Sequence, residues 1–161
     1  MHDNIKKRIN IAAKRQPADL VIKNCKIVNV FTHEIIEGDI AISDGKIAAV
    51  GNYSGEKEVD AEGRYALPGF INSHIHIESS FVSPEEFSRL VVPHGTTTII
   101  ADPHEIVNVC GMDGFDYMVK AGKNAALDIK YMIPSCVPCT PWEHAGAVVD
   151  SKAISEVINQ D

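Results

Sequence analysis

Apolar positions change rhythm twice along the chain. Over residues 5–15, Ile5, Ile9, Ala12 and Ala13 recur at helical spacing among lysines and arginines, which predicts one short amphipathic helix with a solvated basic face. From Asp19 to Leu67 the apolar stretches shorten to strand length. Leu20-Val21-Ile22, Ile27-Val28-Asn29-Val30, Ile35-Ile36, Asp39-Ile40-Ala41-Ile42 and Ile47-Ala48-Ala49-Val50 follow one another between turn residues, and Val59 to Tyr65 adds a further turn and strand. Ser43-Asp44-Gly45-Lys46 predicts a tight hairpin, because Asp-Gly supplies the positive φ that the turn demands. The pattern predicts an antiparallel β unit of about fifty residues, small for independent stability.

From Pro68 onward strands alternate with helices. Phe70 to Ile77 reads as the first strand. Ser83-Pro84-Glu85-Glu86 reads as a helix start, with Ser at the N-cap, Pro at the first helical position and Glu two residues later. Phe87, Leu90 and Val91 give that helix an apolar side, and Pro93-His94-Gly95 ends it. Thr96 to Ala101 is β-branched and apolar, the composition of a buried parallel strand. Asp113 to Ala121 reads as the second helix, Ile129 to Ile133 as the third strand, and a third helix starts near Asp150 or Ser151 with Ile154, Val157 and Ile158 on its apolar side. Such alternation predicts an α/β fold with a parallel sheet and right-handed crossovers.

The chemistry-bearing residues gather just past the strand ends: His74, His76 and Glu78 on the first, Asp102, His104 and Glu105 on the second, Ser135 and Cys136 on the third. That end of a (β/α)8 barrel is where reactions occur. Residues two apart on a strand share a face, so His74, His76 and Glu78 are expected on one face and Ile75 and Ile77 on the other. Two imidazoles side by side pack a core poorly and bind divalent metals well.

Charge and composition narrow the function. A formal net charge of −7 over 161 residues lacks the basic face that a nucleic-acid partner requires. No apolar run approaches the ~20 residues of a membrane span, and the charged N-terminus has no signal-peptide core; a cytoplasmic protein is expected. Cys136-Val137-Pro138-Cys139 is a Cys-x-x-Cys without a second pair at ligand spacing, and Cys25 and Cys110 are isolated, so free thiols are expected rather than a zinc knuckle.

A β unit followed by Pro68-Gly69-Phe70-Ile71-Asn72-Ser73-His74-Ile75-His76 resembles the opening of the amidohydrolase superfamily, whose metal site begins with a His-x-His on the first barrel strand. The strings His74 to Ser80, Gly95 to Thr98, Ala101-Asp102-Pro103-His104-Glu105-Ile106 and Pro134 to Pro138 closely resemble the adenine deaminases of bacteria and archaea, over about Pro17 to Gly146. Cys110 and Cys139 depart from that family's usual residues. The resemblance implies a helical lead-in over 1–16, part of a small β-sandwich domain over 17–67, and over 68–161 the first three βα units of a metal-dependent (β/α)8 barrel, incomplete. It implies hydrolytic deamination of adenine to hypoxanthine and ammonia, with His74 and His76 as metal ligands. Glu78, Asp102, His104 and Glu105 are implied for catalysis, substrate contact or ligand support. Manganese is the expected metal, with iron or zinc as alternatives.

Adenine is the expected partner, together with a second copy of the chain or a complementary C-terminal chain; no nucleic acid and no membrane is expected. The family's remaining ligands come from later barrel strands, so the 161 residues alone are expected to be inactive. The alternatives are another cyclic amidohydrolase of the dihydroorotase or hydantoinase type, against which the Ile77-Glu78-Ser79-Ser80 and Asp102-to-Glu105 strings argue, and a non-catalytic truncated remnant.

Overall fold

A computed structural model of the chain describes residues 2–158; Met1 of the lead-in and residues 159–161 of the last segment lie outside the described residues. The chain divides between Pro68 and Gly69 into two compact units.

The first unit opens with helix α1 (His2–Ala12), followed by strands β1 (Ala18–Asn29), β2 (Glu34–Ser43), β3 (Lys46–Gly51), β4 (Gly55–Asp60) and β5 (Tyr65–Ala66). The Asp44-Gly45 hairpin forms as its sequence dictates: both residues have positive φ, and Ser43 pairs with Lys46. The sheet, in order β3-β2-β1-β4, is mixed rather than wholly antiparallel, because β4 and β5 both run parallel to β1. An irregularity at Asn24, whose φ is 56°, divides the long β1. β4 takes the segment before it and β5 the segment after. Alternation of apolar residues specifies strands but not which edge a returning strand joins. Among the described residues this unit is one sheet with α1 laid on it, and Ile11 packs on Ala18, Val21 and Ala41.

The second unit contains β6 (Phe70–Ile75), α2 (Pro84–Val91), β7 (Thr96–Ala101), α3 (His104–Cys110), α4 (Met112–Gly122), β8 (Asp128–Tyr131) and α5 (Ser151–Val157). The three strands are parallel in the order β6-β7-β8. Ser83 caps α2 through its hydroxyl, which accepts from the Glu86 N–H, and Asp150 caps α5 by accepting from Ala153 N–H. Gly69 sits where an added Cβ would collide with the Thr97 side chain, so β6 can lie close to β7 only with glycine there. The core joins Ile77, Phe87, Ile99, Ala101, Met118 and Leu127, and a second cluster of Val107, Phe115, Val137 and Val149 secures the segment after β8.

This unit departs from the sequence expectation at its strand ends, β8 running over Asp128–Tyr131 instead of Ile129 to Ile133. β6 stops at Ile75, two residues early, and the chain turns into a short 3-10 helix over Ile77–Ser80. The segment after Asp102 forms helix α3, for which the sequence reading has no element, so His104 and Glu105 occupy a first helical turn. No helix among the described residues is long and apolar enough to cross a membrane.

Candidate metal centre

The strand order puts the C-terminal ends of β6 and β7 side by side, and a local irregularity aims the histidines. Between Asn72↔Ile99 and Ile75↔Ala101, β6 advances three residues while β7 advances two. The extra residue is a bulge at Ser73-His74, the kind of defect that re-aims a side chain beside a site. The Asn72 side-chain oxygen accepts from His74 N–H at 3.2 Å, giving that donor a partner within the bulge. Past the bulge, Asp102 N–H donates to the Ile75 carbonyl at 2.8 Å, which fixes the start of the β7 loop next to the end of β6.

His74 Nε2 and His76 Nε2 come to 3.1 Å of each other, with the rings edge to face at 5.0 Å. One ligand atom each from His74, His76 and Asp102 lies within 4.8 Å of the others. His76 Nδ1 bonds the Glu105 Oε2 at 3.0 Å, and the Ser79 hydroxyl donates to Glu105 Oε1 at 3.2 Å. Asp102 Oδ1 is buried with no hydrogen-bond partner among the described residues.

These donors fit a divalent ion. At metal–nitrogen bonds of about 2.1 Å, two nitrogens at the observed spacing subtend an ordinary ligand angle of about 95°. An unpartnered buried carboxylate oxygen costs roughly 1–3 kcal/mol or more, and a cation would satisfy it. Two imidazoles and a carboxylate suit zinc, iron or manganese by softness.

The expectation that Glu78 shares the face of the histidines is not met, because the strand has ended before it. Glu78 Oε1 instead accepts the Ile106 N–H at 3.3 Å, where an acid stabilises the first turn of α3. Its other oxygen, Oε2, is buried and unpartnered, and burial pushes its carboxyl above the usual carboxylate range. His104 Nδ1 lies 3.9 Å from Cys136 Sγ, which brings the second and third strand ends together. Cys110, Cys136 and Cys139 are free and exposed, and Cys25 is free and buried. Asp102, expected in catalysis, substrate contact or ligand support, stands in the histidine cluster; two contributors escaped the sequence reading, Ser79 behind Glu105 and Asn72 in the bulge. Asn72 carries a signal, since Asn commonly bonds the backbone N–H two residues on. Ser79 carries none, because its partner is 26 residues away.

The chain's family follows from residues 65–160, which match the family model described as "Amidohydrolase family". The chain belongs to the amidohydrolase family. Its curated relatives include "Adenine deaminase 2" of Desulfotalea psychrophila, 62% identical over 157 residues, and an adenine deaminase of Ligilactobacillus salivarius, 63% identical over 142 residues. The alignments take in 98% and 88% of this chain, but only 27% and 25% of those proteins. The chain therefore spans about a quarter of the length of these relatives. Among solved structures, a D-hydantoinase from Thermus sp. is similar at a TM-score of 0.54 and 24% identity, over 70% of this chain and 26% of that one. An atrazine chlorohydrolase from Arthrobacter aurescens complexed with zinc gives 0.53 and 20%, over 70% and 35%. At these identities the two structures show the fold alone, of which this chain holds an incomplete portion, three βα units.

Proposed function

We propose that this chain forms part of an enzyme that hydrolyses adenine to hypoxanthine and ammonia, and that His74, His76 and Asp102 hold its divalent ion. The convergence of those three donors at adjacent strand ends carries the reading. The choice of adenine rests on the names of relatives as similar as 62% over nearly the whole chain. A divalent ion in such a site acidifies a bound water to a pKa near 7 and polarises the group under attack.

The chain's own residues have distinct parts. The two imidazoles and the Asp102 carboxylate bind the ion and set its position at the sheet end. Glu78, with Oε1 engaged by Ile106 N–H, presents Oε2 as the oxygen that carries a proton toward the departing amine. His104, in the first turn of α3 beside Cys136, makes a contact with the purine in this reading. Manganese is the metal we favour, because a carboxylate ligand shifts the set toward a harder ion; iron and zinc remain within its range.

The test is reconstitution of the full-length protein carrying this sequence with manganese, ferrous ion or zinc, followed by assay of adenine and of dihydropyrimidines. Adenine turnover of about 1–10³ s⁻¹, with none on dihydropyrimidines, is expected. Metal-loaded protein that leaves adenine untouched would refute the reading.

A further inference from the structure

The two histidines are not equivalent. His76 Nδ1 is held by Glu105 Oε2 at 3.0 Å, whereas among the described residues His74 has no carboxylate on its ring. Glu105 is itself held, since its second oxygen receives the Ser79 hydroxyl at 3.2 Å. These three residues come from three different pieces of local structure: His76 from just past β6, Ser79 from the 3-10 turn that follows, and Glu105 from the first turn of α3.

An ionised carboxylate only accepts hydrogen bonds. The ring hydrogen of neutral His76 must therefore sit on Nδ1, which leaves the lone pair on Nε2. That is the atom facing His74 Nε2 at 3.1 Å and belonging with Asp102 to the ligand cluster. Without the carboxylate, a neutral imidazole divides its hydrogen between the two nitrogens, and part of the population presents N–H where a ligand is needed. Both Glu105 oxygens are already turned to protein partners, one to an imidazole and one to a hydroxyl. That arrangement points to a role behind the ligand and not against the substrate.

From this geometry we infer that Glu105 is a positioning residue: with Ser79 as its anchor, it locks His76 in the Nδ1–H tautomer and so prepares Nε2 for the ion. The inference rests on the assignment of His74, His76 and Asp102 as ligands. Partners of this kind change metal affinity by about 10–100-fold when removed.

Two measurements on the full-length protein test it. The first is the Kd for Mn²⁺, followed through the electron paramagnetic resonance of the free ion. Glu105→Ala should raise it about 10–100-fold, Glu105→Gln, which can keep a hydrogen bond, about 10-fold, and Ser79→Ala only a few-fold. The second is the ¹⁵N spectrum of the histidine rings in metal-free protein. His76 should show protonated Nδ1 in the parent and mixed tautomers in Glu105→Ala, with His74 unchanged. A mixed His76 tautomer in the parent, or an unchanged tautomer and Kd in both Glu105→Ala and the milder Glu105→Gln, would overturn the positioning role. Failure of the parent to bind Mn²⁺ at all would instead overturn the ligand assignment and the inference with it.

Discussion

Each unit of this chain places a carboxylate out of water, and the two treat it in opposite ways. In the β unit, Asp39 is 6% exposed. It takes a hydrogen bond from Lys23 Nζ at 2.6 Å, from Asn24 N–H at 3.1 Å and from Tyr53 N–H at 3.2 Å. Burial pushes the Asp39 carboxyl up, but the Lys23 bond and the two backbone donors outweigh it and hold the group below its ordinary value. In the βα unit, Asp102 Oδ1 and Glu78 Oε2 are buried and have no hydrogen-bond partner among the described residues. A satisfied carboxylate ties a hairpin sheet together. Asp102 Oδ1, beside two convergent imidazoles, finds no such donor among the described residues.

The largest effect is expected at the histidines. In the full-length protein, His74→Ala or His76→Ala should lower divalent-metal affinity by more than about 100-fold, beyond the 10–100-fold of a lost supporting partner, and remove activity in proportion. Metal content measured after dialysis checks it, and full retention in either variant would break the contrast at its functional end.

Next comes stability. Asp39→Ala strands three donors and should cost about 2 kcal/mol or more. Metal-free Asp102→Asn should cost less than about 0.5 kcal/mol or stabilise slightly, because a site under functional demand is often relieved when neutralised. Denaturant titration of both variants decides the matter; a larger loss in Asp102→Asn would reverse the argument.

The smallest effect is the pH dependence of the β unit. Asp39 is held low, so its contribution is present above the unfolded carboxylate value of about 3.9 and is lost as pH falls through its lower folded value. Lys23 is pushed up, chiefly by its hydrogen bond to Asp39, so its contribution is present below about 10.4 and is lost as pH rises through its higher folded value. Stability of this unit should therefore stay level from about pH 5 to 9 and fall outside that window. Asp39→Asn should flatten the acid limb, as read by thermal unfolding across pH; an unaltered limb would show that the pair contributes nothing.

The strands, the Asp-Gly hairpin and the capped α2 were legible in the sequence because each depends on residues within a few positions of one another. The Ser83-Pro84 start formed as read. Pairing partners were not legible: parallel β4 and β5 join β1 across gaps that no local pattern encodes. At the site, the His-x-His was visible as a motif, but its geometry was not what strand periodicity implies. A bulge and an early strand end aim the rings, and both remove Glu78 from the histidine face. The resemblance picks out Asp102 for catalysis, substrate contact or ligand support without saying which. Only the backbone bond from Asp102 N–H to Ile75 shows why it stands with the histidines.

We propose above that His74, His76 and Asp102 share one divalent ion. Anomalous diffraction at the manganese edge, on crystals of the full-length protein grown with Mn²⁺, tests it most directly. A peak is expected at ligand distance, about 2–2.3 Å, from His74 Nε2, His76 Nε2 and one Asp102 oxygen. A strong peak elsewhere in this chain, with none between those three atoms, would contradict it.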